Sequence, residues 1–349
     1  MKASYAHYTL HFRQPAGTSR GVLTDKETYF LKLEDEDMPG VFGLGECAVF
    51  RGLSADDVPT YEDKLRELCA NISADKETDL HEFPSIRFGL ETAINDFANG
   101  CRRQPFPSDF TEGMSAIPIN GLVWMGTKEE MLRRIDDKIK AGFTTIKLKV
   151  GAIDTESELD LVRHIRKVFP PEALTIRLDA NGGFTPDNAL QKLSDFARYG
   201  IHSIEQPIKQ GQWEAMRRIC SESPIDIALD EELIGIHTPE RMGEMLDAVR
   251  PKYIILKPSL IGGFSGSQDW IMQAARRDIG GWVTAALESN VRFNAIAQWT
   301  AQLGARMPQG LGTGALFTNN IGSPLEQVGE VLRFNPAKTW QLPALDWRQ

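Results

Sequence analysis

Thr-Ile-Lys-Leu-Lys-Val, residues 145–150, is the stretch of sequence that decides the fold class of this chain. It is a short apolar run with a lysine at two alternate positions, and an amphipathic helical pattern, Lys128–Ala141, precedes it. The same pairing of a short apolar run with a helical pattern repeats along the chain, which indicates parallel β/α units. The predicted strands are Ile117–Asn120, Thr145–Val150, Leu174–Asp179, Ser203–Gln206, Asp226–Asp230, Tyr253–Lys257, Gly281–Ala285 and a short one near Gln309–Gly312.

The number of these units favours a closed barrel over an open sheet. Eight parallel strands that alternate with helices are typical of a barrel. No Gly-x-Gly-x-x-Gly motif follows the first predicted strand, so the sequence does not support a dinucleotide-binding sheet. We therefore predict an α/β fold with a modified TIM (β/α)7β-type barrel over residues 116–320.

The residues on either side of the predicted barrel have different patterns. Residues 1–115 are predicted to form an α+β capping domain. Its predicted strands and helices are Ala3–Phe12, Glu27–Leu33, Val41–Val49, Tyr61–Ala74 and Ser85–Asn99. Residues 321–349 contain several prolines and one strand-like segment, Glu330–Phe334. We expect this tail to pack on the capping domain and complete it.

The composition argues against several classes of protein. The chain has 349 residues, 42% hydrophobic and 25% charged, so it can bury a large core. A formal charge of -9 without a dense Lys/Arg cluster argues against a nucleic-acid partner. Met1–Phe12 alternates polar and apolar residues, which predicts a strand and not a signal peptide, and no apolar run is long enough to span a bilayer. Four cysteines without a Cys-x-x-Cys pair disfavour a zinc site or a disulfide framework, so we expect a cytoplasmic protein.

Charged residues end most of the predicted barrel strands. In β/α barrels the reacting groups project from the carboxyl ends of the strands, where the loops form an open mouth. Successive charges here lie 25 to 30 residues apart, which is the length of one β/α unit. Alternation along a strand also places Lys147 and Lys149 on one face. The strand-end residues are Lys147, Lys149, Asp179, Glu205, Asp230 and Lys257.

Three of these residues are carboxylates that a barrel would bring together. Taken singly, an aspartate that ends a strand is more often a helix cap or turn former, but Asp179, Glu205 and Asp230 occur at one-unit spacing. Buried carboxylates repel one another unless a cation binds them. Oxygen ligands alone indicate a hard divalent ion, and Mg²⁺ is favoured over Ca²⁺ because it keeps open positions for substrate. Mn²⁺ is an alternative, and zinc is disfavoured without His or Cys ligands.

The lysines suggest the chemistry of this metal site. A lysine is a poor base at neutral pH because its ordinary pKa is about 10.4, but a neighbouring cation lowers that pKa. Lys149 has both Lys147 and the expected metal near it. Such a lysine is suited to remove a proton next to a carboxylate that the metal binds.

Five motifs carry a resemblance to a known family: Thr-Ile-Lys-Leu-Lys-Val-Gly, Arg-Leu-Asp-Ala-Asn-Gly-Gly, Ile-Glu-Gln-Pro, Ala-Leu-Asp-Glu-Glu-Leu and Ile-Leu-Lys-Pro-Ser. Together they resemble the enolase superfamily, in particular its muconate-lactonizing branch. The resemblance implies that Asp179, Glu205 and Asp230 bind the metal. It also implies that Lys149 is the acid/base on one face of the substrate, that Lys257 lies on the opposite face, and that Lys147 touches the substrate carboxylate.

Three further stretches, residues 15–21, 119–126 and 257–264, resemble the o-succinylbenzoate synthase family within that branch. The implied reaction is the loss of water from a succinyl-hydroxycyclohexadiene carboxylate in menaquinone biosynthesis, with a small carboxylate as substrate. N-succinylamino acid racemases, dipeptide epimerases and cycloisomerases of the branch are alternatives, since they use the same lysines and metal. A Schiff-base aldolase and a non-catalytic barrel are more distant alternatives, and the oligomeric state stays open.

The resemblance also implies two lid loops over the site, which map to Gln14–Leu23 and Ala48–Ser54. Arg20 in the first is a candidate for the succinyl carboxylate, and Arg51 is an equal alternative. We expect one residue of the pair Glu231 and Glu232 to support the metal site and the other to be exposed to solvent. Trp124 is expected either to line the substrate pocket or to pack in the core. The other predicted substrate-binding residues are Asn181, Gly262, Glu288 and Ser289.

Overall fold

An antiparallel three-stranded sheet opens the chain. The computed structural model describes residues 1–18, 21–38, 40–312 and 316–349. Strands β1 (Lys2–Thr18), β2 (Gly21–Glu34) and β3 (Phe42–Cys47) pair in that order, and helices α1 (Tyr61–Ser73) and α2 (Pro84–Ala98) follow. Helix α2 lies directly on β3, since a Cβ at Gly45 would come within 1.9 Å of the Gly89 carbonyl oxygen. Glycine at this position therefore permits the helix to contact the sheet backbone.

A curled parallel sheet forms the second part. Within the described residues it contains seven strands in sequence order: β5 (Gly121–Val123), β6 (Thr145–Lys149), β7 (Thr175–Asp179), β8 (Ser203–Glu205), β9 (Asp226–Leu229), β10 (Tyr253–Leu256) and β11 (Gly280–Val283). Parallel bridges Ile119–Gln309 and Thr284–Gly310 join its two ends. The expected last strand near Gln309–Gly312 is thus reduced to the two residues that close the curled sheet. These two residues form the seam of the barrel.

Among the residues that the structure describes, seven helices surround this sheet: α3 (Lys128–Lys140), α4 (Thr155–Arg166), α5 (Ala189–Ala197), α6 (Trp213–Glu222), α7 (Pro239–Val249), α8 (Gly263–Ala275) and α9 (Asn290–Gln302). Local sequence fixes several of their starts. Thr127 and Glu130 form a capping box at α3, and Asp154 and Thr238 cap α4 and α7 with their side chains. The outward strand residues, such as Leu148 and Leu178, are buried in the main core. In the described residues no helix is long and apolar enough to cross a membrane.

Two predicted boundaries are wrong. Ile117–Asn120 is only partly a barrel strand, because β4 (Ala116–Pro118) pairs antiparallel with a strand from the tail, whereas Ile119 is bridged to Gln309 at the seam and the barrel strand continues as β5. A short apolar run does not reveal which distant strand will pair with it. Gln14–Leu23 is not a loop throughout, because β1 continues to Thr18 and β2 begins at Gly21. A register shift between His11 and Ala16 accommodates the turn-prone residues within the paired strands. Arg20 lies outside the described residues.

The tail contacts β4 and the first antiparallel sheet. Strands β12 (Leu325–Val328) and β13 (Val331–Phe334) form a small sheet with β4. Beyond them, Trp340 and Trp347 belong to an apolar cluster with Phe30 and Leu44 of the first sheet. The backbones of Arg348 and Tyr5 also hydrogen-bond each other. These contacts join the end of the chain to its beginning.

Candidate active site

The strand register brings the predicted charges to one level of the barrel. Lys149 pairs with Asp179, and Asp179 pairs with Glu205, on three neighbouring strands. Asp230 and Lys257 directly follow β9 and β10. Because side chains alternate along a strand, these residues point inward while Leu148 and Leu178 point toward the helices. The structure therefore gathers all six strand-end charges inside the barrel mouth.

Each buried carboxylate in this group contacts at least one lysine. Lys147 Nζ lies 2.7 Å from Asp179 Oδ2 and donates to Glu205 Oε2 at 2.6 Å. Lys149 Nζ donates to Asp179 Oδ2, also at 2.6 Å. Lys257 forms an ion pair with Asp230. Asp179, Glu205 and Asp230 are at most 2% exposed, so the lysines supply the charge that keeps these carboxylates in the interior.

The charged groups of the site shift one another's pKa values, some upward and some downward. Burial and the nearby charge of Asp179 raise the pKa of Glu205 to about 8. Burial alone would raise the pKa of Asp179, but Lys147 and Lys149 outweigh it and hold that pKa far below its usual range. Burial is likewise outweighed at Lys257, whose pKa is raised chiefly by Asp230. The group therefore behaves as one coupled network of charges.

Backbone turns after the strands orient the next polar residues. Asn181 and Gln206 both have positive φ, at 43° and 39°. Asn181 accepts from Lys149 Nζ at 2.6 Å and donates to Glu231 Oε1 at 3.0 Å. Gln206 accepts from the Asp230 backbone N–H at 3.1 Å and donates to Glu232 Oε2, which links the ends of β8 and β9. Glu231 and Glu232 are both buried, so the expectation that one of them is solvated is wrong.

A cavity, which we call the mouth cavity, opens beside this network. The three lysines, Asn181 and Glu231 line it on one side. Phe50 and Leu53 come from the predicted lid Ala48–Ser54, and Trp124 is pocket wall, as one of its two interpretations expected. The remaining lining residues are Asn120, Leu122, Thr284, Ala285, Ala286, Leu287, Gly310 and Gly312.

Several predicted substrate-binding residues do not line the mouth cavity. Glu288 turns back to accept from the Ala286 N–H at 2.7 Å, because Leu287 adopts a left-handed conformation with φ 61°. Ser289 caps α9 and donates to Glu46 at 2.6 Å. Gly262 directly precedes α8 with φ 99° and lies near Gly266 and Arg87. These three residues shape the loops behind the cavity.

Arg51, the predicted alternative to Arg20, forms ion pairs with two acidic residues of the first domain. Arg51 donates to Asp57 at 2.8 Å and to Glu27 at 3.0 Å. Its side chain is about half exposed and does not line the mouth cavity. The ion pairs fix the segment that carries Phe50 and Leu53.

The chemistry of the donors fits a hard divalent cation. Asp179, Glu205 and Asp230 offer oxygen atoms only, and the buried Glu205 Oε1 has no hydrogen-bond partner in the described residues. In those same residues no cluster of three or more His, Cys, Asp and Glu is arranged as a metal site. Lysine ammonium groups contact these carboxylates and supply positive charge there. A cation would have to compete with those ammonium groups.

Sequence reasoning missed the lining roles of Asn120, Thr284 and Glu231. Glu231 directly follows Asp230, so its proximity to the site was visible in the sequence. Asn120 and Thr284 belonged to predicted strands, but only the pairing across the seam reveals that they face the cavity. No local pattern carries that information.

Comparison with known proteins places these features in a family. Residues 130–323 match the Enolase C-terminal domain-like family. The o-succinylbenzoate synthase of Desulfotalea psychrophila is 44% identical, and the match covers 95% of this chain and 98% of that protein. The crystal structure of MenC from the same organism superposes with a TM-score of 0.85 at 42% identity, over 95% of this chain and 99% of that one.

A second solved structure is similar at lower identity. The o-succinylbenzoate synthase of Thermosynechococcus elongatus, complexed with Mg in the active site, has a TM-score of 0.71 at 25% identity, over 89% of this chain and 92% of that one. Other relatives include a protein of Bacillus subtilis named L-Ala-D/L-Glu epimerase and a protein of Citrifermentans bemidjiense named hydrophobic dipeptide epimerase, which are 29% and 27% identical. The matched span exceeds half of the chain, and its fold and strand-end charges agree with the predicted resemblance. The chain therefore belongs to the Enolase C-terminal domain-like family of the enolase superfamily.

Proposed function

We propose that this chain catalyses the o-succinylbenzoate synthase reaction. In that reaction 2-succinyl-6-hydroxy-2,4-cyclohexadiene-1-carboxylate loses water to give 2-succinylbenzoate, a step of menaquinone biosynthesis. The relative that is 44% identical over nearly the whole chain carries this name. The observation that carries the proposal is the placement of Lys149 and Lys257. Three strands separate β6 from β10, so the two amines face each other across the mouth cavity that both line.

Lys149 is the proposed acid/base. Its amine removes the proton from the ring carbon that bears the carboxylate, and then gives a proton to the hydroxyl that leaves the adjacent carbon as water. Both transfers occur on one face of the ring, so one lysine serves for both. Asn181 fixes the Lys149 amine from the end of the next strand. Lys147 is more deeply buried and contacts two carboxylates, which suits a role in holding the network.

Lys257 is proposed to act as a positive charge on the other face. A lysine ammonium ordinarily keeps its proton at neutral pH, because its usual pKa is about 10.4. A fixed cation opposite Lys149 stabilises the negative charge that develops on the substrate after proton removal. Dehydration needs a competent base on one face only. A charged Lys257 therefore fits dehydration.

Asp179, Glu205 and Asp230 are proposed to hold Mg²⁺, with Mn²⁺ as an alternative ion of similar oxygen preference. When bound, the ion supplies positive charge that stabilises the substrate carboxylate as negative charge spreads onto it. A small carboxylate is accordingly the proposed partner. The four cysteines are free, which is compatible with the proposed cytoplasmic location.

The direct test is turnover of the cyclohexadiene substrate with Mg²⁺, followed by ultraviolet absorbance as the ring becomes aromatic. We expect Lys149→Ala to lose roughly 10²–10⁴-fold in kcat. Asp230→Asn should lose turnover too, and EDTA should abolish the wild-type rate until Mg²⁺ is restored. Lys76→Ala, at an exposed lysine of the first domain, is the control. Normal rates in either site variant with native circular dichroism would contradict the assigned roles.

An epimerase or racemase is the second candidate, because Lys257 lines the cavity opposite Lys149. Moving a proton from one face of a carbon to the other requires both lysines to transfer protons. Lys257→Arg separates the two functions, since arginine keeps the charge but is a poor proton donor. For dehydration we expect a loss smaller than roughly 10²-fold, the lower end of what removing a proton-transfer group gives. A nearly complete loss, together with turnover of N-succinylamino acids or dipeptides, would favour the second candidate.

A further inference from the structure

A buried glutamate on α4, Glu158, lies close to the site without lining the mouth cavity. Glu158 is 1% exposed, and burial raises its pKa. Its Oε1 atom accepts from three successive backbone N–H groups, those of Gly151 at 2.5 Å, Ala152 at 3.2 Å and Ile153 at 3.4 Å. Because burying a carboxylate is unfavourable unless donors pair with it, these three contacts explain why a glutamate can occupy this position.

The three N–H groups belong to the segment that follows Lys149. Strand β6 ends at Lys149, and backbone pairing with β7 extends one residue further, to Val150. Gly151 then turns with φ 89°, a conformation that favours glycine, and begins the segment 151–153, which we call the anchor loop. Successive N–H groups that converge on one anion fix a turn of the backbone around it. Glu158 therefore sets the path of the chain directly after the proposed acid/base.

Capping of α4 does not explain this arrangement. Asp154 is the N-cap of that helix, and its side chain accepts from the Ser157 N–H at 2.9 Å. Glu158 instead accepts from N–H groups that precede the helix. Its carboxylate thus holds the anchor loop and not the start of the helix.

The anchor loop packs against the turn that holds the Lys149 amine. A Cβ at Gly183 would lie 3.2 Å from the Gly151 carbonyl oxygen, so the backbones of the loop and the turn are in contact. The turn carries Asn181, whose φ is 43°, and Asn181 accepts from Lys149 Nζ at 2.6 Å. Displacement of the anchor loop would therefore displace Asn181 and the amine that it orients.

We propose that Glu158 is a positioning residue for Lys149. Its carboxylate anchors the loop, the loop supports the turn at Asn181, and Asn181 orients the amine toward the substrate proton. The inference rests on the proposed function, in which Lys149 transfers the protons. Reaction rate depends steeply on the placement of the reacting groups, and a misplacement of about 1 Å can cost roughly 10²-fold. Loss of the anchor should thus slow proton transfer while the groups that bind the substrate stay in place.

The test separates the reach of the Glu158 side chain from its charge. Glu158→Asp keeps the charge but shortens the side chain by one methylene, and should lower kcat by roughly 10- to 10²-fold with KM within about threefold of the wild type. Glu158→Gln keeps an acceptor oxygen at full reach, and Glu158 Oε2 has no hydrogen-bond partner in the described residues that an amide nitrogen would lose. This variant should therefore stay within about threefold of the wild type in kcat.

Asp154→Ala is the matched control, because it removes the helix cap beside the anchor loop but none of the three bonds to Glu158. It should lower the stability of the protein while kcat stays within about twofold of the wild type. Titration calorimetry measures binding of Mg²⁺ and of the product, 2-succinylbenzoate, and both affinities should stay within about threefold in Glu158→Asp. If Glu158→Asp does not fold, Glu158→Ala takes its place with the same expected results.

Three outcomes overturn the inference while wild-type turnover leaves the proposed function standing. They are a normal kcat in Glu158→Asp, an equal loss of kcat in Asp154→Ala, and a loss of Mg²⁺ and product affinity in Glu158→Asp as large as its loss of kcat. The last result would show that the whole site is loosened and that Lys149 is not specifically misplaced. Failure of the wild-type protein to turn over the substrate overturns the proposed function and this inference with it.

Discussion

Lys147 and Lys149 are two residues apart but have different surroundings. Lys147 contacts both Asp179 and Glu205, and its side chain is 6% exposed. Lys149 contacts only one of these carboxylates and is 14% exposed. Because a bridging ammonium neutralises two buried acids, we expect Lys147 to have the larger effect on the stability of the folded state. Two lysines on one face of a strand thus have different contacts, which is consistent with the proposal that Lys149 is the reactive amine.

Lys147→Met should therefore destabilise the protein. Its removal leaves Asp179 and Glu205 buried without their shared cation, and we expect the free energy of unfolding to fall by about 3–5 kcal/mol. Mg²⁺ should restore part of this loss if the same carboxylates bind it. Urea unfolding with and without Mg²⁺ measures both effects, with Lys149→Met as the matched control. Equal losses in the two variants, unaffected by Mg²⁺, would contradict the bridging role.

Residue type predicted the charged site but not every residue that faces it. Asp179 and Lys149 could be identified from the sequence, because a charged residue at the end of a strand is positioned by the strand and not by the loop that follows it. Glu288 is predicted to bind substrate because it follows the seventh barrel strand, yet the left-handed turn at Leu287 directs it back onto the Ala286 backbone. Thr284 faces the cavity through a bridge to Gly310, a contact between distant residues. Local sequence patterns do not predict the direction of a side chain after a turn, nor which residues pair at the seam.

At the scale of elements, two carboxylates of the N-terminal domain accept hydrogen bonds at the N-termini of two barrel helices. Glu46 of β3 accepts from Ser289 Oγ at 2.6 Å and from the Arg292 N–H at 3.0 Å at the start of α9. Glu91 of α2 accepts from the Phe264 N–H at 2.6 Å at the start of α8. Negative charge is favourable at a helix N-terminus. These two helices follow the loops that carry Lys257 and the cavity wall near Ala286, so the domain interface also fixes the site.

Glu91→Gln tests this arrangement. The amide keeps one acceptor oxygen but loses the charge that faces the first turn of α8. We expect the free energy of unfolding to fall by about 1–2 kcal/mol, as for loss of a helix cap. Glu77→Gln, at an exposed acid of the same domain, is the control for urea unfolding. A change no larger than that of the control would show that the Glu91 charge does not stabilise the interface.

The sequence predicted which elements exist better than it predicted their partners. Strands β6 to β10 lie within a residue or two of their expected bounds, because each is a short apolar run between helical patterns. The run that contains Ile117 is predicted to be a barrel strand, but its first residues pair with β13 from the tail. The hairpin of β1 and β2 continues through residues that favour turns. In both cases a distant or adjacent strand supplied hydrogen bonds that propensity does not include.

At the scale of the whole molecule, a cluster of buried charges lies between the two domains behind the cavity wall. Lys26 of β2 is 6% exposed and donates to the Ala286 carbonyl at 3.4 Å. Its ammonium also lies 5.4 Å from the centre of the Phe50 ring. Glu46, Glu288 and Arg292 are the charged groups that influence it. Lys26 thus contacts one cavity-lining residue from each domain.

Burial lowers the pKa of Lys26 to about 8, with partial opposition from Glu288. An unfolded lysine titrates near pH 10.4, so between about pH 8 and 10.4 the unfolded chain binds this proton more than the folded chain does. Stability contributed by Lys26 should therefore rise with pH across that window, by at most roughly 3 kcal/mol. Urea unfolding from pH 7.5 to 10 should show the wild-type protein gaining stability relative to Lys26→Met, whereas exposed Lys76→Met should follow the wild type. A constant difference between wild type and Lys26→Met would mean that the buried ammonium is not destabilised.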